Sequence, residues 1–235
     1  MSLSQKIIRK AAGMQSLAGL KAKVRAMLYD GSAMHRIEAK IAPISLNVDS
    51  NAPVRINLLI PEINFRTFFG GYIAKFNLAQ KLMDRGYKVR FVLVDPCQVD
   101  EPGWREMVAQ YAGIENIFDR VEVVACEDRS QALTVSPQDK LIATTWWTAH
   151  IAHDMAQTLG IEKFFYLIQE YEPFTFPMGA YYAVAGESYT FPHTAIFSSP
   201  QLRDYFQQHE IGIFGEPWGD IEESVPFENA ILFFD

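Results

Sequence analysis

Glu170 and Glu172 flank Tyr171 in QEYEP (169–173), directly after the apolar run KFFYLI, and Pro173 fixes the exit of the chain. Two carboxylates this close can orient sugar hydroxyls through charge-assisted hydrogen bonds, or one can act as a general base. The same pair could instead cap the next helix or pair with basic side chains. A second candidate is Gly70–Gly71, which follows the apolar run RINLLIP and a polar-aromatic loop and opens a helical pattern. Backbone N–H groups at a helix start, with no Cβ in the way, can approach a phosphate or a sugar hydroxyl closely. A strand-to-helix turn needing positive φ would select the same residues. The third is TTWW (144–147). Thr144 and Thr145 are placed as helix-capping hydroxyls that could also donate to a ligand. Trp146 and Trp147 could stack on a sugar ring, although adjacent aromatics at a helix start usually divide into one core and one surface residue, so at most one would face a ligand. SSP (198–200) is the fourth.

Other chemistries find less support. Gly70–Gly71 does not continue as a dinucleotide fingerprint, because Ile73 and Phe76 stand where small residues would follow. Asp95, ending the next strand, mimics the ribose-binding acid of that fingerprint. His150, His153 and Asp154 have a helical spacing that could reach one metal, but so short a pattern is ordinarily a solvated face. GxSxG, HExxH, CxxC and P-loop patterns do not occur. Ser198 and Ser199 have no base visible in the sequence.

The elements that must position these residues alternate. RINLLIP, YKVRFVLVD, RVEVVAC, DKLIATTWW, KFFYLIQEYEP and HTAIFSSP read as strands. Between them, Gly71 to Arg85 (stopped by Gly86), GWREMVAQYAG, WTAHIAHDMAQTLG, YYAVAGESY and PQLRDYFQQHEIG read as helices. That order predicts an α/β, Rossmann-like parallel sheet with helices on both faces. Ligands then bind beyond the carboxyl ends of the strands, where all four candidate segments fall.

The 235 residues, 49% hydrophobic and 13% aromatic, suffice for one sizeable core. Cys97 and Cys126 read as reduced thiols, which points to the cytoplasm. Net charge is −7, but Lys6, Arg9, Lys10, Lys21, Lys23, Arg25, Arg36 and Lys40 against Asp30 and Glu38 make the first forty residues +6 and the remainder −13. An acidic body argues against nucleic acid as its ligand. The arm from Leu3 to Leu28 reads as a basic helix, either packed on the protein itself or in peripheral contact with the inner face of a membrane. DGSAMHR would break it, and NVDSNAP (47–53) reads as a linker. Three regions follow: a helical arm and linker over 1–50, a Rossmann-like domain over 51–228, and at 229–235 (NAILFFD) a strand that starts a further domain beyond this chain.

Taken together, RINLLIPEINFRTFFGGYIAKFNLAQKL, LIATTWWTAH, YLIQEYEP and AIFSSPQLRDYF resemble, in order and spacing, the amino-terminal domain of WsaF-like bacterial rhamnosyltransferases. The resemblance spans about Arg55 to Phe206. It implies glycosyltransferase family 4, a GT-B fold of two Rossmann-like domains facing a cleft, and retention of anomeric configuration without a bound metal or other cofactor. The amino-terminal domain of such an enzyme receives the glycan acceptor. A nucleotide-sugar, dTDP-rhamnose by this resemblance, is held by a second domain carrying an E-x7-E pair. Gly70 and Gly71 would form the glycine loop at the cleft, with Trp146, Trp147, Gln169, Glu170 and Glu172 lining its acceptor side and Thr145 as a further hydroxyl. A homodimer is compatible with this. The alternatives are a nucleotide-cofactor domain of an oxidoreductase and a non-catalytic glycan-binding module.

Overall fold

The computed structural model describes residues 31–68, 70–215 and 223–228. The chain divides into two units, residues 1–39 and 40–235. The arm predicted from Leu3 to Leu28 and the strand predicted at 229–235 lie outside the described residues. Helix α1 (Gly31–Ile41) runs through the stretch expected to break a helix. Gly31 and Ser32 occupy its first turn, where weak formers cost least, and the apolar spacing of Ala33, Met34, Ile37 and Ile41 outweighs them.

Strand β1 (Leu46–Val48) takes its last two residues from the segment expected to be a linker. It pairs in parallel with a later three-residue strand, Leu46 opposite Leu133 and Val48 opposite Val135. Strands this short carry too few residues for a period-two pattern. The rest of the prediction describes the main sheet well. In chain order it contains β2 (Ile56–Ile60), α2 (Gly70–Asp84), β3 (Val89–Leu93), α3 (Glu101–Val108) and β4 (Glu122–Ala125). The small-sheet strand β5 (Leu133–Val135) follows, then β6 (Lys140–Ala143), α4 (Trp146–Leu159), β7 (Phe164–Ile168) and α5 (Ala180–Glu187). The last elements are β8 (His193–Phe197), α6 (Pro200–Gln208) and β9 (Ser224–Pro226), an edge strand the sequence did not reveal. Among the described residues, no helix is long and apolar enough to cross a membrane.

The seven-stranded sheet has the order β4-β3-β2-β6-β7-β8-β9, and all its pairings are parallel. The chain builds outward from β2 in one direction, then crosses back to β6 and builds in the other. This doubly wound order opens a crevice between the carboxyl ends of β2 and β6. Both faces are buried, as continuous apolar strands require. Leu58, Ile60, Phe91 and Leu93 pack with Phe76, Ala79 and Met83 of α2 and Trp104 of α3. Leu59, Val92 and Ala143 point the other way, to Ala149, Ala152 and Met155 of α4 and Phe206 of α6.

Charge is buried at the amino ends of the central strands. Arg90 and Asp139 are 2% and 0% exposed. Arg90 Nε donates to Asn57 Oδ1 at 2.7 Å and Nη1 to the Thr134 carbonyl of β5 at 2.9 Å. Asn57 Nδ2 donates to Asp139 Oδ2 at 2.9 Å, and the Arg55 backbone N–H donates to Asp139 Oδ1 at 2.7 Å. The network ties three strands of the main sheet to the small one. Arg90 Nη2 lies 3.6 Å from Asp139 Oδ2, so replacing Asp139 with Ala removes the ion-pair partner of a buried guanidinium and an acceptor from the Asn57 amide and the Arg55 N–H. Urea unfolding of Asp139→Ala should show a loss of about 3 kcal/mol, the scale for breaking a buried charged pair. A loss below about 1 kcal/mol, as for an exposed pair, would mean that the network bears no stability.

Candidate functional site

A cavity of about 440 Å³ opens at the switch in strand order, a size that suits a small ligand. Its walls come from the start of α2 (Gly70, Gly71, Tyr72, Lys75), the end of β6 (Thr144, Thr145), the end of β7 and the turn after it (Gln169, Glu170, Glu172), and Ser198 after β8. Four separately predicted segments therefore meet in one place.

A positive-φ turn is not what selects Gly71. Its φ is not among the positive ones, which belong to Gly86, Gly113, Gly160 and Gly212. The space beside it is filled by Gln169, whose Nε2 donates to the Gly71 carbonyl at 3.1 Å. A Cβ on residue 71 would lie 3.3 Å from Gln169 Oε1. The missing side chain thus admits Gln169, which joins the α2 start to the β7 end across the cleft. Opposite, Thr145 caps α4 as predicted: its Oγ1 accepts from the Thr148 N–H at 3.4 Å while Thr148 Oγ1 accepts from the Thr145 N–H at 2.8 Å. Thr144 Oγ1 donates to the Leu59 carbonyl of β2 at 2.8 Å, closing the base of the crevice.

Glu172 lies beside the start of the preceding helix α4, not at the start of the next one, α5. The Trp146 backbone N–H, at the amino end of α4, and the Lys75 ammonium both favour its ionised form. Tyr166 Oη also donates to Glu172 Oε2 at 3.3 Å. Tyr189 Oη holds the turn, donating to the Glu170 carbonyl and accepting from the Glu172 N–H, both at 3.2 Å. Burial pushes Glu172 up to about 8; Glu170 adds to the rise, while the Trp146 N–H, Tyr166 and Lys75 oppose it. Lys75, 5% exposed, is pushed down to about 8 by burial against the pull of Glu172 and Glu170. Its Nζ sits 4.8 Å from the Tyr72 ring centroid, and burial, with Glu62, Cys97 and Asp95, pushes Tyr72 up to about 12.

The tryptophans are a correction. Neither lines the cavity. Trp146 is 1% exposed and packed among Trp147, His150, Phe176 and Tyr181. Trp147 is half-buried beneath Lys40, whose Nζ lies 4.0 Å from its ring centroid. Capping by Thr145 fixes the direction of the first turn of α4, which carries both rings away from the cavity lining. Asp95 is bound by Lys40 Nζ at 2.9 Å. His150 bonds to the Val184 carbonyl at 3.0 Å and His153 stacks on Phe191. Among the described residues, no group of three or more His, Cys, Asp or Glu could hold a metal.

Lys75, Tyr72, Tyr166 and Tyr189 were missed. Lys75 had a signal: it interrupts the buried face of Ala74, Phe76 and Ala79, one helical turn after Gly71. The tyrosines read as core, and their hydroxyls gain meaning only from the tertiary structure.

The raised Glu172 pKa makes stability depend on pH. An unfolded glutamate releases its proton near 4.5, whereas Glu172 keeps it to about 8. The folded state therefore holds the extra proton between these values, and stability present below 4.5 is lost as pH rises through 8. His193, which burial lowers from 6.5 to about 4, acts with opposite sign and only below 6.5. Between pH 6.5 and 8, Glu172 should thus contribute a decline of about 2 kcal/mol. Glu172→Gln should lack it, as read by urea unfolding at the two pH values. An equal decline in both proteins would show that Glu172 is already ionised.

A search of curated proteins finds no match to the chain. A family model described as "WsaF, N-terminal domain" matches residues 55–199. The matched span begins just before β2 and ends at Ser199, which caps α6 by accepting from the Leu202 N–H. It includes the four segments that meet at the cleft, and such membership implies the amino-terminal domain of a glycosyltransferase. With more than half its length matched, the chain belongs to the WsaF amino-terminal-domain family.

Proposed function

We propose that residues 51–228 form the acceptor-side domain of a retaining family 4 glycosyltransferase of GT-B fold. The enzyme would move rhamnose from a dTDP-sugar to a growing cell-surface polysaccharide at the cytoplasmic face of the membrane. The observation that carries this reading is the cavity at the strand-order switch, where Lys75, Glu170, Glu172 and Gln169 converge with hydroxyls of Tyr72, Thr145, Tyr189 and Ser198. Such a mixture suits a polyol: each sugar hydroxyl can donate to a carboxylate while accepting from an ammonium or amide. Gly70 and Gly71 form the wall nearest the donor, and Gln169, Glu170 and Glu172 the acceptor side.

In this reading the nucleotide-sugar is held by the second domain of the GT-B enzyme. In the transfer, the bond from the anomeric carbon to the diphosphate oxygen breaks and the bond to the acceptor oxygen forms on the same face. The acceptor proton passes to the departing phosphate. Positive groups of the second domain stabilise the charge that develops there. The role of this domain is to hold the acceptor oxygen in line, which can account for several powers of ten in rate. A dinucleotide cofactor fits less well, because Asp95, which would meet its ribose, is ion-paired with Lys40.

Gly71→Val tests the assignment. The new side chain displaces Gln169 and fills part of the cleft, while β2, α2 and their core contacts are untouched. Transfer by the full-length enzyme should fall at least about 100-fold, the scale for an ångström-level misplacement, with the melting temperature and circular dichroism retained. Undiminished transfer would remove Gly71 from the donor-side wall and Gln169 from the acceptor side.

A further inference from the structure

Four aromatic rings run in contact from the cavity to the surface. Tyr166 stacks on Tyr189 with centroids 5.4 Å apart, and Tyr189 on Tyr171 at 5.6 Å. Tyr171 meets Phe174 edge-to-face at 4.9 Å and 85°. Tyr166 and Tyr189 line the cavity, whereas Phe174 is 69% exposed. Tyr205 of α6 braces the outer end, 5.8 Å from Tyr171 and 5.7 Å from Phe174, with His209 4.5 Å beyond it. The turn carrying Phe174 begins at Glu172, itself a cavity residue. It is fixed by the Phe174 N–H donating to the Tyr171 carbonyl at 3.0 Å and Thr175 Oγ1 donating to the Glu172 carbonyl at 2.7 Å.

We propose that Phe174 and Tyr205 form a second sugar subsite outside the cleft, which takes the next ring of a carbohydrate chain whose terminal ring enters the cavity. The inference rests on the acceptor-side reading above and adds that the acceptor is recognised over more than one residue. A pyranose has an apolar C–H face and a polar rim, so it needs a flat exposed ring with hydrogen-bonding groups at its edge. Phe174 supplies the first; the Tyr205 hydroxyl and the His209 imidazole supply the second. Bracing by two neighbouring rings leaves Phe174 little rotamer freedom to lose on binding. From Pro173 to Gly186 the chain carries no charged residue, so a neutral ligand displaces no tightly held hydration shell there. A sugar is favoured over a lipid or a protein partner because the exposed ring continues a row of hydroxyl-bearing rings that leads to the cavity carboxylates.

The test compares methyl rhamnoside with methyl trirhamnoside as probes of the full-length enzyme, by saturation-transfer NMR for binding and by product formation for transfer. Wild type should prefer the trisaccharide. In Phe174→Ala the ratio of kcat/KM for trisaccharide over monosaccharide should fall about tenfold, the worth of one aromatic contact. Phe174→Trp should keep the preference, which separates lost stacking from a damaged fold. An unchanged ratio in Phe174→Ala, or a wild type indifferent to chain length, overturns the subsite. So does an effect of Phe174→Ala confined to co-sedimentation with phosphatidylcholine vesicles. Trisaccharide binding that depends on Phe174 in a protein that transfers nothing would keep the subsite and remove the transferase reading. Transfer with a length preference indifferent to Phe174 would do the reverse.

Discussion

All strands of the main sheet run one way, so all their carboxyl ends meet at one edge, and the chain must reverse its direction of growth somewhere along it. That reversal, between β2 and β6, prevents the connections that follow the two strands from closing over the same space. The cleft is the gap that remains. Gly71, Thr145, Gln169 and Ser198 stand beside one another although up to 127 positions separate them, because each follows a strand of this one sheet.

The two ends of the sheet bury charge in different ways. At the amino end, Arg90, Asn57 and Asp139 exchange short hydrogen bonds among themselves and with the backbone of β5. Such a cluster locks strand register and offers a ligand little, since its main partners are internal. At the carboxyl end, Lys75 and Glu172 interact more loosely: they feel one another's charge, yet burial still draws both towards neutrality. A low-dielectric site with unspent hydrogen-bonding capacity favours a ligand that brings its own hydroxyls or charge.

The legibility of the chain in its sequence follows the same division. Continuous apolar runs made β2, β3, β6, β7 and β8 visible, and glycine stops with helical spacing made α2 and α4 visible, because burial on two faces leaves a strong local pattern. β1, β5 and β9 were not visible, since three residues cannot establish a period and their pairing is entirely long-range. The cleft could be read at its loops, where Gly71, Gln169 and Glu172 follow strands. Trp146 and Trp147 misled because aromatic chemistry suggests stacking, whereas the cap at Thr145 sets a first turn of α4 that carries both rings away from the cavity lining. Lys75 could have been found by asking why a charge interrupts the buried face of α2.

The cap of α4 also links the cleft to the aromatic row. The Trp146 N–H favours the Glu172 carboxylate, and Tyr189 holds the backbone on both sides of Tyr171. The turn that carries Phe174 is therefore anchored by a helix amino terminus at one point and by a buried ring at another. A ligand that draws Glu172 into its ionised form strengthens the first anchor, because a carboxylate accepts from a helix N–H more strongly than a neutral acid does.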